Sequence, residues 1–483
     1  MLSTKTCSAV RAIGDPLRSS ARIFEAIRQK VLDCVAGGTD PRPDFSWPDL
    51  AEFNWATDWF DPTTRGNLDP AVIWSERGGA VQKLTFDGLR ENSDRAAGWL
   101  VRQGVGHGTR ILVALDACAA LWEIQLAALK LGAVVVPVPA GARSGELLEV
   151  TAFSGATALV IDAELAQEVR PAAAWTGITV GGRVPGWSPY EDAYGHALRH
   201  RGQSPRNSLT PFLLEHSMTG VGSGRLHSHY ACTVGRLTDL FFTQLSPGKR
   251  YVTAAPAGSV EHLCFSFLGP LTAGATTFVA SGPDAGSTAA VQEWAGRENA
   301  RLAYVPVELL GENSSSYPAA VSSGPSSAVQ LLSSVSAEAL ARADGAGGGA
   351  GLATTLSALP QEVRWGVRHR HTSVGLMASP VREAAGSKLR ATALPGHSLH
   401  VVAPARPAPS VHSGALVRDA QFEETGEVWI DVHKWPWPES GTSTCGPRAV
   451  ATTSSGTGSL RTGLFGRRHS DGTVALLFAR SPK

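Results

Sequence analysis

This sequence has no surplus of charge: 43 Lys and Arg stand against 42 Asp and Glu, a net charge of +1 over 483 residues, and no basic stripe interleaves with aromatics. Such a balance lacks the electrostatic footprint by which proteins hold nucleic acid, so small or carrier-bound ligands are the expected partners. Long apolar runs are also missing. No stretch of about 18 apolar residues could span a bilayer, and Lys5, Arg11 and Asp15 interrupt the N-terminus where a signal peptide needs an unbroken apolar region. Cys7, Cys34, Cys118, Cys232, Cys264 and Cys445 form no Cys-x-x-Cys pair and have no His at metal-ligand spacing, which argues against a zinc site or a disulfide framework. The expectation is a soluble cytoplasmic protein.

What is present is a 43% apolar chain, enough for a large core and too long for one ordinary domain. Ile23, Ile27, Val31 and Leu32 recur among Arg and Glu residues and predict an amphipathic helix over 16–34. An aromatic lead-in, FSWPDLAEFNWATDWFD, follows at 45–61 and is read as an anchor onto the core. The pattern then alternates: strands at 71–75 and 82–86, a helix at 86–102, a strand at 110–115, a helix at 118–131, a strand at 133–137, a helix at 144–154 and a strand at 158–161. Strands alternating with helices call for a mostly parallel α/β sheet covered on both faces. Residues 170–208 show no strong periodicity and read as a connection.

The stretch LLEHSMTGVGSGRLHSHY, 213–230, is the pivot of the reading. An apolar strand at 211–214, a turn with Gly220, Gly222 and Gly224, and a helix over 230–242 would suit phosphate binding, yet no fixed cation precedes Arg225. A strand is expected at 251–255, then a turn, an apolar helix and a strand within PAGSVEHLCFSFLGPLTAGATTFVA, 256–280. Residues 311–351, rich in Ser, Ala and Gly, are expected to pack loosely or to be partly disordered. Short alternating strands at 398–403, 426–432 and 471–479 suggest a small antiparallel barrel or sheet.

The pivot resembles the phosphate loop of the adenylate-forming (AMP-binding) acyl-CoA synthetases, Ser-Gly-Thr-Thr-Gly-x-Pro-Lys followed by His-Ser/Thr-His/Gln. Thr219, Gly220, His227, Ser228 and His229 match, Ser223 stands at the loop lysine, Gly222 at the proline, and His216, Ser217 and Met218 replace Ser-Gly-Thr. Phe-Asn-Trp-Ala at 53–56 with Pro70 to Trp74 is similar to the acetyl and medium-chain branch, as is ALWEIQLAALKLGAVVVPVPAG. Residues 256–280 align with the family's acyl-pocket segment, with His262 on a histidine and Ser259 replacing a tryptophan. Glu338 and Thr372 match family positions, Ser373 takes the place of the magnesium-binding glutamate, Leu464 that of the ribose-holding aspartate, and Arg480 follows much as the hinge arginine does.

The resemblance implies two doubly wound α/β sub-domains, residues 1–205 and 206–390, a small β-barrel-like sub-domain at 391–483, and no C-terminal lid with its adenylation lysine. It places cofactor binding at the degenerate phosphate loop, Thr219, Gly220 and His227; for a transferase, His262 beside the acyl pocket is the candidate general base, since an imidazole works near its own pKa, and acyl-CoA is the expected ligand. Adenylation rests on positioning and charge neutralisation, and one lost preorganised contact costs about 2.7–4 kcal/mol, so the substitutions argue against use of ATP and magnesium. Three readings stay open: acyl transfer from acyl-CoA to an acyl carrier protein or other acceptor in specialised metabolism, a non-catalytic partner of a biosynthetic enzyme, and a true ATP-dependent ligase. His262 can equally be a satisfied core residue beside Leu263, Phe265 and Phe267, Cys264 is inert in apolar surroundings, and His227 and His229 hold the turn.

Overall fold

Short runs of Val, Ile and Leu send alternate side chains to opposite faces of a sheet, and in this protein both faces are buried. The computed structural model describes residues 16–50, 52–75, 80–170, 172–196, 204–216, 224–280, 288–306, 330–336, 364–369, 373–383, 386–402, 425–431, 451–452, 458–470 and 473–477. Helix α1 (Pro16–Gly37) leads to a π-helical turn (Trp55–Phe60), α2 (Asp61–Thr64), β1 (Pro70–Ser75), β2 (Val81–Thr85) and α3 (Phe86–Arg102). Then come β3 (Arg110–Ala114), α4 (Ala119–Leu131), β4 (Val134–Pro137), α5 (Ser144–Ser154), β5 (Ala158–Asp162), α6 (Ala163–Glu168), β6 (Thr176–Val180), β7 (Ser188–Pro189), β8 (Pro211–His216) and β9 (Gly224–Ser228). The chain continues through α7 (His229–Thr233), α8 (Arg236–Thr243), β10 (Arg250–Thr253), a second π-helical turn (His262–Leu268), α9 (Gly269–Ala273), β11 (Thr276–Val279), α10 (Thr288–Arg297) and β12 (Leu302–Tyr304).

These strands form two sheets. The smaller has the order β7-β6-β5-β3-β4-β8-β9, parallel except for the β8–β9 hairpin. In β3, Ile111 and Val113 enter one core cluster while Leu112 and Ala114 enter the other, as period two requires. The larger sheet runs parallel through 364–369, 330–336, β12, β10, β11 and β1, with β2 antiparallel at its edge. Sheet membership crosses the expected borders: at 205, since β1 and β2 join the larger sheet and β8 and β9 the smaller, and at 390, since strand Gly386–Ala393 runs across it.

Three expectations are corrected. Residues 170–208 hold β6, whose Thr-Gly-Ile-Thr-Val has few large apolar residues and whose buried Ile178 and Thr179 find their cover only in the assembled sheet, and the two-residue β7. Gln330–Ser336 is a regular strand of the larger sheet despite its Ser-rich surroundings, and the rest of 311–351 lies outside the described residues. The antiparallel strands of the tail do not close into a barrel among the described residues. Gly386–Ala393 pairs with Ser373–Glu383, so they extend the larger sheet. Among the described residues no helix is long and apolar enough to cross a membrane.

Helix α4 is buried on every side, and its two charges therefore need partners. Glu123 accepts from Asn92 Nδ2 (2.7 Å), Tyr190 OH (2.8 Å) and Tyr194 OH (2.9 Å). Lys130 lies 2.9 Å from Asp61 and 2.7 Å from Asp94. The lead-in closes over the same helix: Asn54 Oδ1 accepts from the amides of Ala56 and Thr57, and its Nδ2 donates to the carbonyls of Leu129 (3.0 Å) and Pro205 (3.1 Å). Trp55 then stacks on Phe60, and Trp59 meets Phe24 of α1 edge-on.

The Lys130 cluster makes stability depend on pH. Burial pushes Asp61 up to about 6, offset in part by Lys130 and reinforced by Asp94. A carboxyl whose pKa rises on folding adds stability that is full below its unfolded pKa, near 4, and is lost as pH climbs through 6. Asp61→Asn should therefore flatten the fall in unfolding free energy between pH 4 and 6, measured by urea melts, by a few kcal/mol at most, since a tenfold change in proton affinity is worth about 1.4 kcal/mol. Parallel curves for the two proteins would show that Asp61 titrates as it does in the unfolded chain.

Candidate functional site

In open α/β sheets, ligands sit outside the carboxyl ends of the strands where the strand order reverses. The smaller sheet reverses at β3 and β5, the larger at β10 and β12. The two sheets bring their carboxyl edges together. Beyond β10, Ala257 accepts a hydrogen bond from the amide of Ala140 (3.0 Å), just past β4. Gly258 has φ +74, and a Cβ there would stand 2.5 Å from the Val138 carbonyl oxygen and 3.2 Å from that of Leu115. Only glycine fits this approach. By that rule the ligand crevice is expected at this junction, between Leu115 after β3, residues 138–140 after β4, the end of β8 and the turn at 256–259.

From that turn the acyl-pocket-like segment enters its π-helical stretch. Ser259 Oγ accepts from the amide of His262 (3.0 Å), and Ser266 shares a 2.6 Å hydrogen bond with Thr253 of β10. The His262 ring is fully buried, and its Nε2 accepts the indole N–H of Trp122 at 3.0 Å. Trp122 in turn packs against Trp74 of β1 with centroids 5.0 Å apart. This chain of rings links α4, which packs on the smaller sheet, to the larger one. Burial pushes the pKa of His262 down to about 4. With the Nε2 lone pair given to Trp122 and the neutral ring's proton on Nδ1, no basic nitrogen remains. The general-base expectation for His262 does not fit this geometry. Cys264 is likewise fully buried.

The histidines around the expected phosphate loop are arranged by a hairpin. The sequence calls for a strand, turn and helix, yet Gly224–Ser228 is a strand paired antiparallel with β8, and helix begins only at His229. Gly224 permits this because a Cβ would meet the Phe153 ring at 2.8 Å. The expected helix over 230–242 is two short ones, α7 and α8, the first capped by Ser228 Oγ accepting from the amide of Ala231 (3.1 Å). His227 Nε2 lies 2.6 Å from a Glu215 carboxylate oxygen across the hairpin. His229 Nε2 accepts from the Trp55 amide at 3.2 Å, and burial pushes its pKa down to about 3.

His216, which ends β8, has its Nε2 2.9 Å from the Pro137 carbonyl oxygen, and burial lowers its pKa. Thr219, Gly220, Ser223, Glu338, Thr372 and Arg480 lie outside the described residues. Ser373 and Leu464 fall within strands Ser373–Glu383 and Gly458–Arg468. His216 and the Glu215–His227 pair were missed as a unit by sequence reasoning, because only the hairpin register sets Glu215 beside His227 and only the β4–β8 pairing sets His216 beside Pro137.

Comparison with known proteins agrees with this architecture. The model of a family described as "AMP-binding enzyme" matches residues 63–340, more than half of the chain. Human mitochondrial acyl-coenzyme A synthetase ACSM2A is 24% identical over 252 residues, covering 47% of this chain and 42% of that protein. Acetyl-coenzyme A synthetase 2 of Kluyveromyces lactis is 26% identical over 302 residues, covering 56% and 44%. The chain thus spans less than half the length of these relatives. Among solved structures, a Brucella canis acyl-CoA synthetase superposes with a TM-score of 0.68 at 17% identity, over 89% of this chain and 76% of that one.

Proposed function

The chain belongs to the AMP-binding enzyme family, and from that premise we propose that it handles an acyl group already activated as a thioester, moving it from acyl-CoA to a carrier protein or another acceptor without ATP. One observation carries the reading: the carboxyl edges of both sheets meet, where such folds take their ligands, while the chain has three uncharged residues, Ser223, Ser373 and Leu464, where the resemblance calls for the loop lysine, the magnesium ligand and the ribose ligand. Magnesium-ATP needs fixed charges opposite its phosphates, and these residues supply a hydroxyl, a hydroxyl and a hydrocarbon. The donor set does not fit that group. Thioester exchange needs none of it, because the bond broken and the bond formed are of the same kind and the step is close to thermoneutral.

In this reading the crevice places the acyl carbonyl against the turn at 256–259, and the closed wall of Trp74, Trp122 and His262 keeps water from one side of the site. A second reading, ATP-dependent CoA ligation, follows from the resemblance to the adenylate-forming synthetases, and the matched relatives are named coenzyme A synthetases. Titration calorimetry with magnesium-ATP, together with mass spectrometry of a carrier protein incubated with acyl-CoA esters, separates the two. Acyl loading in the absence of ATP, with no submicromolar ATP binding, is the expected result. Pyrophosphate release on addition of a carboxylic acid, or submicromolar ATP binding, would establish a ligase. Failure to load any carrier, with loss of a pathway enzyme's activity when this protein is withheld, would make it a non-catalytic partner.

A further inference from the structure

Four histidines belong to the β8–β9 hairpin, to the helix that follows it and to the π-helical turn after 256–259, and their ring nitrogens are committed differently. His262 and His229 each accept a hydrogen bond at Nε2, from Trp122 and from the Trp55 amide, and are 0% and 4% exposed. In the neutral ring the remaining nitrogen then carries the proton, so neither has a lone pair to offer. His227 is engaged with the Glu215 carboxylate and is also buried. His216 is wired the other way. Its Nε2 faces the Pro137 carbonyl oxygen at 2.9 Å, and a carbonyl oxygen can only accept, so Nε2 holds the proton and Nδ1 keeps the lone pair. The residue is half-buried, and it ends β8 beside the carboxyl end of β4, whose next residues touch the turn at Ala257 and Gly258.

We infer that His216 is the general base of acyl transfer in this protein, acting through Nδ1 with its tautomer and orientation set by the Pro137 carbonyl. The inference rests on the acyl-transfer reading above. A polar partner that fixes one ring nitrogen so that the other works as a base is the device found in catalytic triads. Here Nδ1 takes the proton from the acceptor thiol, and the thiolate sulfur bonds to the acyl carbon of acyl-CoA. The tetrahedral adduct then breaks its bond to the CoA sulfur, and that sulfur leaves with the proton from Nδ1. One carbon–sulfur bond forms, one breaks, and one proton passes from acceptor to CoA, with no oxidant or further reactant.

The charges around the ring suit this role. Burial lowers its pKa and the neighbouring Glu215 opposes the shift, so the ring is a neutral base at pH 7. Across the hairpin, Glu215 is held by His227 at 2.6 Å, while β4 (Val134–Pro137) brings no titratable side chain. The rate should therefore rise with pH through an inflection below 6.5.

The test uses the whole chain with a panel of acyl-CoA esters and N-acetylcysteamine as the acceptor thiol, following the acylated thiol by mass spectrometry. His216→Ala removes the base, and His216→Gln keeps a donor for the Pro137 carbonyl without a basic nitrogen. Transfer by the unaltered protein, a drop of about 100-fold or more in both variants, loss of the inflection, and partial rescue of His216→Ala by added imidazole would support the inference. If His216→Ala fails to fold, His216→Gln decides alone. If the unaltered protein transfers and His216→Gln stays within about threefold of it, far short of the loss of a general base, the inference is wrong while the acyl-transfer reading stands. If the unaltered protein transfers nothing across the panel, the reading fails and the inference with it.

Discussion

Lys130→Met is expected to lower the unfolding free energy at pH 7.5 by about 3–5 kcal/mol, the cost of removing one partner from a buried ion cluster. The Lys130 side chain is 0% exposed, and its ammonium lies between Asp61 and Asp94, each within 3 Å. Methionine fills similar space, so packing changes little and two carboxylates lose their counterion. The direction of the pH effect follows from Asp61, whose pKa of about 6 rises further once the cation has gone. At pH 5 Asp61 takes up a proton in place of the lost pair, and the destabilisation should shrink. Chemical denaturation at both pH values checks this, and Lys130→Met combined with Asp61→Asn should recover much of the loss because the two sites are in contact. A loss under about 1 kcal/mol, the scale of a surface pair, would mean that water reaches the cluster.

Gly258→Ala is expected to weaken the fold and disable the crevice together. The left-handed backbone costs about 1–3 kcal/mol for a side chain, and the new Cβ would lie 2.5 Å from the Val138 carbonyl oxygen, so the turn must move off the carboxyl end of β4. Gly248 is the natural control, with φ +76 and nothing within 4 Å of a built Cβ. Gly248→Ala should show the backbone strain alone. The excess loss at Gly258 then measures the sheet-to-sheet contact, and on the proposed acyl-transfer reading transfer should fall by at least tenfold in Gly258→Ala and stay near the unaltered rate in Gly248→Ala. Equal effects at the two glycines would mean that the crevice contact plays no part in transfer.

Much of the architecture was legible in the order of residues because its determinants are local. Helix α3 begins and ends where the pattern places it, at Phe86 and Arg102, since Thr85 caps it and its apolar positions recur at helical spacing. Helix α5 also falls where expected, at Ser144–Ser154, and β1, β3, β4, β5, β8 and β10 lie within a residue or two. The aromatic lead-in was legible for the same reason, as large rings so dense in sequence have to be buried somewhere. Strands β6 and β7 were hidden because Thr-Gly-Ile-Thr-Val holds only two large apolar residues and β7 is two residues long; pairing with β5 holds β6 extended, and pairing with β6 holds β7.

The site divides along the same line. Sequence determined its chemistry of substitution: Ser223, Ser373 and Leu464 are uncharged whatever the chain does in space. Tertiary structure alone decided what each histidine can do, because a ring's basicity depends on which nitrogen meets a donor and which an acceptor. The same residue type is a packing element at 262, beneath an indole N–H, and carries a free lone pair at 216, beside a carbonyl. Those partners lie 140 and 79 positions away along the chain, a separation that no local pattern encodes: the packing of α4 against the π-helical turn at 262–268 closes the first, and the pairing of β4 with β8 closes the second.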